Sequence, residues 1–174
     1  MSMCAKVEDT VLRAREVAAC VTDPEMPMLS LVDLGVLRSV SEQPDGTIVV
    51  TITPTYSGCP AMATMRADLE YALAAAGFGK VDVRTVLTPA WTSDLITPEG
   101  RRKLEEHGIA PPHKVGIPAA GPVPLTLRPR PAPVQCPQCD SFDTEQTSAF
   151  GSTACKALHR CRNCGEPFDR FKEI

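Results

Sequence analysis

Apolar residues near the start of the chain fall on one helical face. Val7, Val11, Ala14, Ala18 and Val21 follow one another at spacings of four, three, four and three. Asp23-Pro24 ends that run, because the residue before a proline avoids the helical region. DPEMPMLSLVDLG then reads as a turn and a short segment closing at Gly35. VLRSVSE predicts a strand, QPDG a hairpin turn, and TIVVTITPT a second, β-branched strand. After a loop holding Cys59, Pro60 suits the first position of a helix, where its missing N–H costs nothing. Met62, Met65, Leu69, Leu73 and Ala76 give that helix one apolar stripe, and Gly77 stops it. KVDVRTVLT predicts a third strand, and TPEGRRKLEEHG a short, charged, exposed helix ending at Gly108. Trp91 reads as a core or edge anchor. The order predicts an α+β fold, a small mixed sheet with packed helices.

Proline then divides the chain. Eight of the 23 residues from Pro111 to Pro133 are proline, so neither a helix nor a central strand can persist there. A semi-extended linker is expected, the alternative being a strap along the domain surface. This gives a domain over 1–110, a Pro-rich linker over 111–134 and a small domain over 135–174.

Composition narrows the function. Of 174 residues, 43% are hydrophobic, enough for a core, and the net charge of −3 lacks the basic footprint of a nucleic-acid binder. The N-terminal residues carry charges where a secretory signal needs an apolar run. No stretch approaches the roughly 18 apolar residues of a membrane span. A soluble, cytoplasmic protein with no membrane partner is expected. In that setting the close Cys-x-x-Cys pairs among the eight cysteines read as metal ligands rather than disulfides.

CPQC (Cys136, Cys139) and CRNC (Cys161, Cys164) are two knuckles separated by 21 residues. Each can present two thiolates, and four sulfurs close a tetrahedral site. A structural Zn²⁺ ribbon is expected, small and β-rich, with rubredoxin-like iron as the alternative. About 40 residues cannot bury enough surface unaided, and structural zinc supplies roughly 10–16 kcal/mol of apparent folding energy. TEQTSAFGS, KALHRC and EPFDRFKEI fit its strands. Cys155 and His159, between the knuckles, would overfill the site and read as strand residues. From Arg128 onward seven basic and six acidic residues give no funnel for phosphate, so no nucleic-acid partner is expected.

Cys59 stands apart. At a helix start, unpaired backbone N–H groups and the helix dipole lower a thiol's pKa, which favours a nucleophile or a soft-metal ligand. The alternative is a packed residue. A cysteine hydrolase needs a general base, and His107, His113 and His159 fall in a charged helix end, the linker and the ribbon. Asp23 and Glu25 could complete a site with Cys59, or Asp23 could serve only its turn. Cys4 and Cys20 read as packing or incidental residues.

DPEMPMLSLVDLGVL followed by TPTYSGCPAM resembles the SufT-like metal–sulfur cluster assembly domain. The shared features are Asp23-Pro24-Glu25, Leu34-Gly35, the threonine-rich strand and Cys59-Pro60. PAWTSDLITPEGRRKLEEHGIAPP, and then FGSTACKAL between two Cys-x-x-Cys pairs with EPFDRFK, resembles the D proteins of bacterial phenylacetate degradation (PaaD). That resemblance implies an accessory that matures phenylacetyl-CoA epoxidase, a multicomponent monooxygenase, and does not itself catalyse. It implies iron or an iron–sulfur cluster as transient cargo, with Cys59 as thiolate contact and Asp23 and Glu25 as acidic contacts. The reductase or oxygenase subunit is the implied partner, and a second copy of the chain a further one. The alternative is a docking module of the same complex with no metal transfer. The chain itself has no Glu-x-x-His pair for a di-iron centre and no dinucleotide fingerprint.

Overall fold

The computed structural model describes residues 3–56, 58–114 and 133–174, with side chains from residue 9 onward. The chain divides into two compact units, 1–103 and 104–174.

The first unit opens with helix α1 (Met3–Ala19). Of its expected stripe, Ala14 and Ala18 are buried, with Val21 beyond the helix end. Strands β1 (Leu37–Glu42) and β2 (Ile48–Ile52) form an antiparallel hairpin from Leu37↔Ile52 to Glu42↔Ile48. Gly46, at φ +80°, makes the turn. Helix α2 (Met62–Ala75) leads to β3 (Val81–Thr85), which pairs parallel to β2. The sheet order β1-β2-β3 is therefore mixed, as the pattern predicts. Met65, Leu69 and Leu73 bury the apolar stripe of α2, each contributing on the order of 2 kcal/mol.

Two local expectations are corrected. Helix α2 starts at Met62, two residues later than expected, because Pro60 lies in a turn and Ala61 caps the helix without a side-chain bond. The charged segment 97–108 is not simply exposed: in α3 (Pro98–Glu106) Gly100 and Leu104 are buried. Gly100 faces Asp33, whose carbonyl oxygen would lie 2.6 Å from a Cβ at that position. Trp91 is buried, as expected of an anchor, and its indole N–H donates to the Leu34 carbonyl at 2.8 Å.

The second unit is a four-stranded sheet in the order β4-β7-β6-β5. Its strands are β4 (Ile109–Ala110), β5 (Thr144–Ser148), β6 (Lys156–Cys161) and β7 (Pro167–Phe171). The last three answer to the ribbon strands read from the sequence. The fourth was not anticipated: Ile109 and Ala110 pair in parallel with Asp169 and Arg170. The expected boundary at residue 110 thus falls inside the second unit, because backbone pairing draws this dipeptide into the ribbon sheet. Most of the expected linker, residues 115–132, lies outside the described residues. Val134, at its far end, packs with Ala110, Cys136, Cys161 and Phe168 in the ribbon core.

Candidate functional site

The two cysteine knuckles are built alike. In the first, Cys136 N–H donates to Ser141 O, and Cys136 O accepts from Asp140 N–H. In the second, Cys161 N–H donates to Glu166 O, and Cys161 O accepts from Gly165 N–H. The residue after each pair is left-handed, Asp140 at φ +59° and Gly165 at φ +82°. Glycine reaches that region without strain and aspartate tolerates it better than most residues, so both turns can curl their sulfurs inward.

The four sulfurs, of Cys136, Cys139, Cys161 and Cys164, lie within 4.8 Å of one another. Cys136 Sγ is 3.8 Å from Cys164 Sγ, and Cys139 Sγ is 3.6 Å from Cys161 Sγ. Sulfurs held tetrahedrally about 2.3 Å from a zinc ion stand about 3.8 Å apart, so the donor set fits. Its protons tell the same story. The Ser141 N–H and then the Asn163 amide pull the Cys139 thiol down to about 6. The Glu166 N–H acts the same way on Cys164, but burial and the thiols of Cys139, Cys161 and Cys136 outweigh it and push Cys164 up to about 12. His159 and Cys155 stand outside the cluster; His159 lies in β6 as expected, whereas Cys155 lies on the turn before that strand. Cys155 Sγ lies 3.0 Å from the Thr153 hydroxyl.

The other expected site draws on two separate turns of the chain. Asp23 is buried, and its Oδ1 accepts from the Glu25 and Met26 N–H groups, both at 2.8 Å. The carboxylate therefore holds its own turn. Glu25 is exposed. Cys59 is half-buried on the turn before α2, its N–H donating to Tyr56 O and its carbonyl accepting from Met62 N–H. Among the described residues, the ligand atoms of Asp23, Glu25 and Cys59 do not gather into a metal-holding group.

Sequence reasoning passed over two features. Thr53, at the end of β2, buries a hydroxyl with no hydrogen-bond partner among the described residues. Its signal was the alternation Thr51, Thr53, Thr55, which a continuing strand would set on one face. Asp33 is the other. Burial raises its pKa, but Lys103 and the Ser30 N–H and hydroxyl outweigh this and hold the carboxyl below the usual range. No local pattern announces a partner so distant in sequence.

Comparisons with known proteins follow the same division of the chain. Residues 14–86 match the family model described as iron-sulfur cluster assembly protein, and residues 120–172 match the PaaD zinc beta ribbon domain. A protein of Escherichia coli K12, named as a component of 1,2-phenylacetyl-CoA epoxidase, is 45% identical over 154 residues, 88% of this chain and 87% of its own. An Fe-S protein maturation auxiliary factor of Porphyromonas gingivalis is 31% identical over 85 residues, 48% of this chain and 80% of its own. A Bacillus anthracis structure of domain DUF59 shares the fold, with a TM-score of 0.54 and 22% identity over 58% of this chain and 96% of its own. The ribbon family and the four-sulfur cluster together support a zinc site. With an iron–sulfur assembly domain, a PaaD zinc ribbon and 45% identity to the Escherichia coli protein over most of both chains, this chain belongs to the PaaD family.

Proposed function

We propose that the chain is a non-catalytic, cytoplasmic maturation factor that helps insert iron or an iron–sulfur cluster into a component of a phenylacetyl-CoA epoxidase. The observation that carries this reading is the joining of two likenesses in one chain. Residues 14–86 match an iron–sulfur cluster assembly family, while the relative matched over 88% of the chain bears the name of an epoxidase component. The first domain, the proline-rich linker and the ribbon each have a part in it.

Cys136, Cys139, Cys161 and Cys164 are the ligands of a structural zinc. Bound there, the ion would tie the two knuckles together through the four thiolates. Cys59 is the thiol that touches the cargo. The residue is half-buried, not sealed in the core. Glu25 and Asp23 are the acidic contacts for that cargo, Asp23 in addition to fixing its turn. One thiol is too few to hold a cluster alone. The reductase or oxygenase subunit, or a second copy of this chain, supplies the remaining ligands.

A second reading, a docking module with no metal transfer, has one observation in its favour. Asp23, Glu25 and Cys59 do not gather into a ligand group among the described residues. A pulldown of the full chain from cells growing on phenylacetate separates the two. Iron and sulfide are assayed on every recovered component, with and without the chain. Maturation predicts clients depleted of metal in its absence; docking predicts fully loaded clients that fail to assemble.

A further inference from the structure

One face of the ribbon sheet follows from its pairing. Side chains of paired residues share a face. The register therefore groups Ala110, Arg170, Phe168, His159, Gln146 and Thr144. Val134 and Cys136 seal the Phe168 end of that face. Beside the seal lies a cavity of about 260 Å³. Pro133, Val134 and Phe142 give it apolar walls, and His159, Arg170, Thr144 and Gln146 line the rest.

His159 is 4% exposed and Arg170 8%. Neither imidazole nitrogen has a hydrogen-bond partner among the described residues, and neither has Arg170 Nε. Buried polar groups are ordinarily satisfied, so three unspent atoms on two residues that line one cavity mark it as a place for a polar ligand. Its chemistry can be read from what is already used. Arg170 Nη2 is paired with Glu173, so the guanidinium charge is answered. The Thr144 hydroxyl donates to Val134 O. Two N–H donors, from Arg170 Nε and the imidazole, remain unspent beside one imidazole lone pair. A carboxylate would add negative charge where Glu173 already balances Arg170, close to a four-thiolate cluster. An ammonium would face Arg170 itself.

We propose that this cavity binds a small uncharged amide. The amide oxygen accepts from Arg170 Nε–H, its N–H donates to the unprotonated nitrogen of His159, and its apolar body lies along Pro133, Val134 and Phe142. Ordered water could satisfy the same polar atoms but would leave the apolar wall unused.

The test uses the zinc-loaded full chain with nitrogen-15 in its histidines. The His159 ring signals are identified by their disappearance in His159→Gln. Benzamide, benzoate and benzylamine, similar in size and different in charge, are titrated in turn. Benzamide should shift the His159 signals saturably with a dissociation constant on the order of 1 mM, as suits a ligand of this size. The two charged probes should bind at least about tenfold more weakly. Binding in the variants is followed by ligand-observed NMR. His159→Gln keeps a donor and an acceptor and should retain binding within about tenfold, whereas His159→Leu should lose it. Arg170→Lys keeps a cation for Glu173 and removes Nε–H, so it should weaken binding even if the leucine variant fails to fold. Zinc content certifies each variant. The proposal is overturned if benzamide gives no saturable shift, as a water-filled cavity would, if benzoate binds as tightly, or if every folded variant binds like the parent.

Discussion

Lys103 Nζ lies 2.7 Å from Asp33 Oδ2, tying together positions 70 residues apart in the chain. The contact belongs to a larger clamp. Thr97 N–H donates to the Asp33 carbonyl at 2.9 Å, and the Trp91 indole holds the carbonyl of Leu34. Ser30 N–H reaches Asp33 Oδ2 from the other side at 2.9 Å. The segment from Trp91 to Lys103 thus fixes the loop that follows the Asp23 turn.

Stability should depend on pH through Asp33. Burial works to raise its pKa, but Lys103 and Ser30 together hold it below the ordinary carboxylate range. A depressed carboxylate contributes stability that is fully present above its unfolded value and is lost as pH falls through its folded value. Trp91 is the chain's sole tryptophan and reports on this clamp. Its fluorescence should show Asp33→Asn destabilised by about 1.5–3 kcal/mol at pH 7, with the difference shrinking below about pH 4. A constant difference across that range would remove Asp33 from the acid transition.

Gly100→Ala should destabilise the first unit by about 1–3 kcal/mol, because the new methyl would meet the backbone oxygen of Asp33. Gly46→Ala meets nothing within 4 Å but keeps a positive φ, so it should cost about 1 kcal/mol. Urea midpoints followed by Trp91 fluorescence compare the two. An unaffected Gly100→Ala variant would mean that α3 can retreat from the loop without cost.

Periodicity made most of this fold legible. The α2 stripe, the β1–β2 hairpin and the three longer ribbon strands all carry their signal within a few residues. Two-residue β4 could not be read, since Ile109-Ala110 has no period and becomes a strand only because β7 accepts it. The burial of Gly100 and Leu104 inside a highly charged helix depended on partners far away in sequence, and charge alone suggested exposure. The four-cysteine cluster was the most readable site, because spacing within each knuckle dictates its turn. Cys59 was expected at the helix start and lies instead on the turn before it, a shift set by how the chain passes Pro60. The cavity beside His159 was invisible, since it arises from cross-strand pairing rather than from any motif.

One zinc per chain should be found by elemental analysis, following the four-ligand rule. Chelation should then unfold the ribbon, whose apparent folding energy from such a site is roughly 10–16 kcal/mol. Trp91 belongs to the other unit, so its fluorescence should hardly change. No tightly bound metal, or a ribbon that keeps its structure after chelation, would contradict the four-thiolate assignment.

The reactivity of Cys59 gives a narrower check. Alkylation rate against pH, with Cys4, Cys20 and Cys155 replaced, should show a thiol more acidic than the ordinary value near 8.5, because α2 begins just beyond its turn. An ordinary titration, or full protection in the folded protein, would return Cys59 to a packing role.

The central claim is that Cys59 works on cargo for a client protein, and Cys59→Ala tests it most directly. Ala61 already caps α2 without a side-chain bond, so removing the thiol should cost the fold about 1 kcal/mol or less. A deletion strain carrying the variant is grown on phenylacetate. The reductase's cluster content and the oxygenase's iron content are measured in parallel with zinc in the variant itself. The expected outcome is a folded, zinc-loaded variant, arrested growth and clients depleted of iron or cluster. Normal growth with fully loaded clients would contradict it.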